Sequence, residues 1–470
     1  AAWEQELAAL ESRLEQLTSF AGTLRDAAAI RAYLDAATDF GRTLSNLYCY
    51  ASLRRSEDTR AEAGQRMYAR ITAHYVQAMA AISFAEPEIL ALPEETLRSI
   101  VQDPQMAEHR FTLENLLRQK PHTLSAPEEK LLATFGEALG APAEVADNLQ
   151  DADLVFDPAQ NAAGETMEVT GSNYIMLQMS PDRTLRRSAF ASFYKGYRQH
   201  INTFAAAYAG AVKAATAEAS VRRYDSSRAM SMAGENIPPQ VYDSLIEAVH
   251  RHMPAMYRYV ALRKKILGLD ELHYYDVYAP LVSEVKVRYT YEQAQQMVLD
   301  AVAPLGEDYV RMVRRAFAER WIDVYPNKGK SGGAYSSGTY DSNPYILTNF
   351  TGTLDSVSTI AHEMGHSLHT WLSNHHQPPQ YADYTLFVAE VASTVNENLL
   401  IEQLLQKKQE PAMRLYLLNQ YLENFKGTVY RQTMFAEFER EAHAMAERGE
   451  ALDPAALNAL YRRLVQEYFG

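Results

Sequence analysis

Cysteine is almost missing from this chain. Cys49, in "NLYCYAS", is the single one in 470 residues, so no intrachain disulfide can form. Glycine and proline are scarce, at 21 and 19. That excludes a collagen-like or low-complexity chain. No apolar run approaches the roughly 18 residues that a membrane-crossing helix needs, and no membrane partner is expected. Positive charge is also in deficit. Lys and Arg number 45 against 59 Asp and Glu, a formal net charge of -14. A surface of that sign repels phosphates, so no nucleic-acid partner is expected either. The short basic clusters, such as Arg54-Arg55 and Arg263-Lys264-Lys265, read as solvated helix faces. With no export signal and no disulfide, the expected compartment is cytoplasmic.

What is present is helical periodicity. The first 150 residues repeat apolar positions at spacings of three and four, as at Leu7, Leu10, Leu14 and Leu17. "ALPEETLRSIVQD" and "SAPEEKLLATFGEAL" both open with proline and acids in a first turn, the usual start of a helix. Two stretches break the pattern. Residues 153–173 alternate about a polar, Gly-containing turn and predict a β-hairpin. Residues 321–353 are rich in Tyr, Thr, Ser and Gly and predict two or three short strands. The expected class is mainly α with a small sheet. The expected division is an N-terminal helical lobe, 1–155, and a second domain, 156–470.

Chemistry concentrates in "TLDSVSTIAHEMGHSLHTWLSNHH", residues 353–376, which holds five of the thirteen histidines. It contains the pattern H-E-x-x-H from His362 to His366. Thr353 predicts the N-cap and Asp355 the acidic first turn of a helix. On that helix His362 and His366 stand one turn apart on one face, a spacing that suits two nitrogens of a tetrahedral zinc site. Glu363, beside them, is the right group to take a proton from a water activated by the metal. A third ligand is needed. A histidine in the metzincin manner fails, because positions 369 and 372 are His and Leu where Gly and His would be required. A glutamate from a later helix is the other option. "DYTLFVAEVASTVNENLL" offers Glu390, with apolar neighbours expected to bury it. Thr394 and Glu397, further along that helix, are expected to orient a ligand. His369 stands open between a substrate contact and plain packing. His375 and His376, at the helix end, read as charges suited to the dipole.

The zinc-helix pattern, Glu390 and the preceding "WIDVYPNKGKSGGAYSSGTYDSNPYILTNFTGT", with "GTVYRQTMFAEFEREAH" after them, resemble an oligoendopeptidase F-type member of the thimet oligopeptidase family of zinc metallopeptidases. The resemblance implies a two-lobed helical fold around a deep channel, with the small sheet beside the zinc helix. It implies one Zn2+ per chain on His362, His366 and Glu390, with Glu363 as general base. It also implies endopeptidase action on short, unstructured oligopeptides, which lie along the strand at Gly332, Gly333, Ala334 and Tyr335. Glycines there let backbone meet backbone, so a substrate can add as a strand. Family members continue past "LNALYRRLVQEYFG" into a His- and Tyr-rich segment that stabilises the oxyanion. Here a separate C-terminal fragment could complete the site. Two alternatives stand beside this reading: a metallocarboxypeptidase of similar helical build, and a peptide-binding scaffold without catalysis.

Overall fold

In the computed structural model, which describes residues 2–282, 287–407 and 410–470, the chain is mainly helical. The long helices are α1 (Ala2–Thr18), α2 (Ala27–Glu57), α3 (Glu62–Ile82), α4 (Ala126–Asn148), α5 (Arg183–Gln199), α6 (Ile201–Val221), α7 (Pro239–Ile266), α8 (Leu354–His376), α9 (Leu386–Lys407), α10 (Arg431–Glu447) and α11 (Pro454–Phe469). Their starts follow local chemistry. Asp26 accepts from the Ala29 amide to cap α2, and Ser125 with Glu128 forms a capping box on α4. The leucine spacing in α1 is realised: Leu7, Leu10 and Leu17 are buried against α2 and α3. Among the described residues, no helix is long and apolar enough to cross a membrane.

Two compact units emerge, and neither respects a linear cut. The first joins Ala1–Thr123 to Lys286–Lys408; the second joins Leu124–Val285 to Gln409–Gly470. The boundary expected at residue 155 falls inside the second unit. The local break in pattern there is a real hairpin, β1 (Ala159–Gln160) with β2 (Thr166–Met167), antiparallel with Ala159 opposite Met167. A hairpin inside a unit looks, in sequence, much like a linker between units. A unit built from two distant stretches leaves no local mark.

The first unit holds an N-terminal helical core around Ile30, Leu47, Ile71 and Leu97, and a three-stranded sheet. β3 (Ile322–Asp323) lies parallel to β5 (Tyr345–Leu347), and β4 (Tyr335–Ser337) pairs antiparallel on its other side. The order β3-β5-β4 leaves β4 at an edge. Ile346 and Leu347 of the central strand are buried. α8 follows directly, burying Val357, Ile360, Ala361, Met364 and Leu368. At its far end His375 and His376 bond through Nδ1 to the carbonyls of Trp371 and Leu372, at 2.7 and 2.8 Å. Each is a local bond back one turn along the same helix.

The second unit packs α6, α7, α10 and α11 around Met253, Met256, Met434, Leu464 and Tyr468. Within it Asp276 is fully buried. Arg183 and Arg186 reach its two carboxylate oxygens at 2.9 and 2.8 Å, and the His273 amide donates to it as well. Burial alone would raise the Asp276 pKa. The two guanidiniums outweigh that and hold it below the usual range.

Candidate metal centre

The centre is built in the first unit from two helices and one strand. α8 is placed by the Thr353 cap, whose hydroxyl accepts from the Ser356 amide at 3.1 Å. α9 lies against it at unusually close range. A Cβ on Gly365 would stand 2.6 Å from the Ser393 Cα, so only glycine fits. Asn396, fully buried on α9, donates to the Ala361 carbonyl at 3.1 Å and accepts from the Tyr309 hydroxyl at 3.2 Å. These contacts fix the rotation of α9 against α8, and with it the approach of Glu390.

His362, His366 and Glu390 lie together. The two Nε2 atoms are 3.1 Å apart, and Glu390 Oε2 lies 3.4 Å from one and 3.5 Å from the other. Tetrahedral zinc with bonds of about 2.0–2.1 Å sets its donors roughly 3.3–3.4 Å apart. The three atoms therefore outline one face of such a tetrahedron, and the donor set fits a zinc ion. Glu390 itself is not buried. Its side chain is 63% exposed, and its neighbours Leu386, Phe387 and Val391 are exposed too. The apolar run around it is an open helix face, which sequence alone read as a covered one.

Around this face the charges are arranged unevenly. Glu397 Oε2 lies 3.6 Å from His362 Nδ1, close enough to favour a proton on that nitrogen and leave Nε2 free to ligate. Burial disfavours a charged His362, but Glu397, then Glu363 and Glu390, outweigh it and raise its pKa. His366 goes the other way, lowered by burial and by His362. Glu363 is 6% exposed, and its Oε2 has no hydrogen-bond partner among the described residues. Burial first, with Glu390 and Glu397 after it, pushes its pKa up to about 7 against the opposing pull of His362.

Thr394, expected to orient a ligand, does not reach one. Its hydroxyl donates to the backbone carbonyl of Glu390 at 2.5 Å, the usual back-bond of a threonine within a helix. The residue that holds the Glu390 carboxylate is Ser393, unanticipated in sequence, which is fully buried and donates to Oε2 at 2.7 Å. Its position three residues after Glu390 was the available signal. His369 is part-buried and stacks on Tyr384, with ring centroids 3.6 Å apart. Burial and His366 lower its pKa.

The strand residues divide by the pleat. Ser336 turns to α8 and shares a hydrogen bond with Ser367 at 2.8 Å. Ser337 turns to α2, its hydroxyl 3.9 Å from Cys49 Sγ. The Tyr335 ring points the same way as Ser337, towards Ser56 and Cys49, so Tyr335 can offer a substrate only its backbone. Gly332, Gly333 and Ala334 precede the strand. Gly333 takes φ +73°, and Asn349 holds its carbonyl at 2.9 Å. Nothing crowds either glycine, so the backbone there is open to a ligand.

Comparison with known proteins bears directly on this arrangement. The family model described as Peptidase family M3 matches residues 176–470, and that described as Oligopeptidase F matches residues 88–156. The chain belongs to peptidase family M3. It is an oligoendopeptidase F-type member, and so a peptidase. It is 40% identical to the oligopeptidase PepF of Bacillus subtilis (strain 168), over all of this chain and 70% of that protein. It is 41% identical to the group B oligopeptidase PepB of Streptococcus agalactiae serotype III (strain NEM316), over all of this chain and 78% of that one. The crystal structure of oligoendopeptidase-F from Enterococcus faecium superposes with a TM-score of 0.74 at 33% identity, over 99% of this chain and 79% of the other. In this M3 chain the H-E-x-x-H helix, the glutamate helix and the edge strand thus lie within one compact unit drawn from two separate stretches of its sequence.

Proposed function

We propose that this chain is a zinc-dependent endopeptidase of short, unstructured oligopeptides, with His362, His366 and Glu390 as the metal ligands and Glu363 as the general base. The observation that carries this is the triangle of donor atoms, with sides of 3.1, 3.4 and 3.5 Å, next to the buried Glu363, whose Oε2 has no hydrogen-bond partner among the described residues. Zinc, when bound, would polarise the scissile carbonyl and lower the pKa of a water towards about 7.

The chain's own residues supply the rest. Ser393 fixes the Glu390 oxygen, and Glu397 favours the His362 tautomer whose Nε2 faces the site. Glu363, its pKa raised to about 7, is poised to accept the proton of the attacking water and pass it to the leaving amine. The open edge of β4, preceded by Gly332, Gly333 and Ala334, would hold an extended peptide by main-chain hydrogen bonds. Such contacts do not read side chains and require an unfolded substrate. His369, stacked on Tyr384, borders the site as a candidate substrate contact.

The test pairs elemental analysis with internally quenched peptides blocked at both ends. One zinc per chain with cleavage of blocked peptides supports the proposal. Cleavage only of peptides with a free C-terminus would make the enzyme a carboxypeptidase. Zinc without any cleavage would leave a peptide-binding scaffold.

A further inference from the structure

A cavity of about 460 Å³ opens beside the metal centre, on the Gly333–Ala334 side of β4. That volume is in the range of small ligand sites and ample for a long side chain. Its wall is largely polar, and His362 of the metal centre is part of it. Thr351 and Thr359 contribute hydroxyls, and Asp355, Glu363 and Glu397 contribute carboxylates. Among the described residues no lysine or arginine lines it. Glu363 and Glu397 sit towards the metal centre. Asp355, in the first turn of α8 and exposed, sits about two helical turns from Glu363. The cavity is thus a slot that runs from the metal centre, at His362, Glu363 and Glu397, to the exposed carboxylate of Asp355 at its outer end.

Its place relative to a bound peptide follows from the sheet. β4 is an edge strand, and an added strand pairs somewhat better antiparallel than parallel. An antiparallel peptide runs from the Ser337 end towards Gly333. Ser336 is bonded at 2.8 Å to Ser367, the residue after His366 on α8, so the bond to be cut lies opposite that point. The residue after the bond then lies over Ala334 and Gly333, both of which line the cavity.

We propose that this cavity receives the side chain immediately following the cleaved bond and selects lysine or arginine there. The long apolar stem suits the depth of the slot, and the cationic head meets Asp355. The inference rests on the peptidase reading and adds to it a preference that main-chain binding cannot supply.

The experiment uses zinc-loaded protein and blocked, quenched peptides that differ only in the residue after the bond: Arg, Lys, Gln, Leu or Glu. The expected result is a kcat/KM for Arg and Lys about tenfold or more above that for Glu, shrinking as salt is raised. In Asp355→Asn the Arg-to-Glu ratio should fall by roughly threefold to fivefold. A ratio near one in the unmodified protein overturns the proposal. So does an equal loss for all five peptides in the variant, or a basic preference confined to the residue before the bond. Binding of the same peptides to zinc-stripped protein, read by fluorescence anisotropy, separates the two claims. Tighter, Asp355-dependent binding of the Arg peptide with no cleavage in any series would sink the reaction and keep the subsite. Equal binding of the Arg and Glu peptides would sink the subsite.

Discussion

Gly365 and Ser393 meet backbone to backbone: a methyl group on the first would stand 2.6 Å from the Cα of the second. Gly365 lies inside the H-E-x-x-H pattern, and Ser393 touches the third donor of the centre. The contact therefore couples helix spacing to metal geometry. Gly365→Ala should push the helices apart, costing about 1–3 kcal/mol as overpacking does, and should weaken zinc binding as well. Thermal unfolding and a competitive chelator titration measure the two effects. A variant with normal melting and normal affinity would refute the coupling.

Glu390→Ala should lose most bound zinc, as read by elemental analysis after dialysis. The structure adds a contrast between neighbours. Ser393→Ala, which frees the Glu390 oxygen, should cost about 10–100-fold in metal affinity. Thr394→Ala, whose hydroxyl bonds only to helix carbonyls, should leave affinity close to that of the parent. Equal effects from the two would show that the serine does not hold the carboxylate.

Glu363→Gln should keep zinc and lose turnover by about 10²–10⁴-fold, the usual range for a general base. It also has a consequence without metal. Burial raises the Glu363 pKa from 4.5 to about 7. In the zinc-free protein the folded state then holds a proton that the unfolded chain has released between those values. The carboxylate costs the fold nothing below about pH 4.5 and its full penalty above about pH 7, on the order of a few kcal/mol. Zinc-free Glu363→Gln should therefore melt above the unmodified protein at pH 8, and the gap should close as pH falls towards 4.5. A gap that is constant with pH would count against a buried, strained carboxylate.

Sequence carried the chemistry of the centre further than its setting. His362, Glu363 and His366 could be read from one helix because periodicity and ligand spacing coincide there. The strands beside it could be read from a local change in composition. What could not be read depends on how distant stretches meet. Ser393 and Thr394 are adjacent hydroxyls, and only the rotation of α9 on α8 decides which of them reaches the carboxylate. Glu390 stands among apolar residues in sequence, yet that face of the helix is open. Tyr335 is one residue from Ser336, and the pleat sends it to the opposite side of the sheet.

Asp276 offers a test far from the chemistry. Its two arginine partners hold its pKa below the ordinary value, so its contribution to stability is complete above about pH 4. That contribution is lost as pH falls through the lowered value in the fold. Asp276→Asn should cost about 3–5 kcal/mol at neutral pH, because it strands the buried Arg186. The loss should diminish in acid. Urea unfolding at pH 7 and pH 3 checks both statements; a pH-independent loss would mean that packing, not charge, is what the substitution removes.

The first compact unit takes its residues from two stretches separated by 124–285. During synthesis Ala1–Thr123 therefore emerges from the ribosome long before β3, β4, β5, α8 and α9, the elements that complete its fold. The early helices must wait, half-clothed, while the intervening stretch is made. A chaperone that shields exposed leucines would meet its client in that interval, and a nascent chain arrested before α9 would have both imidazoles in hand and no carboxylate to close the triangle.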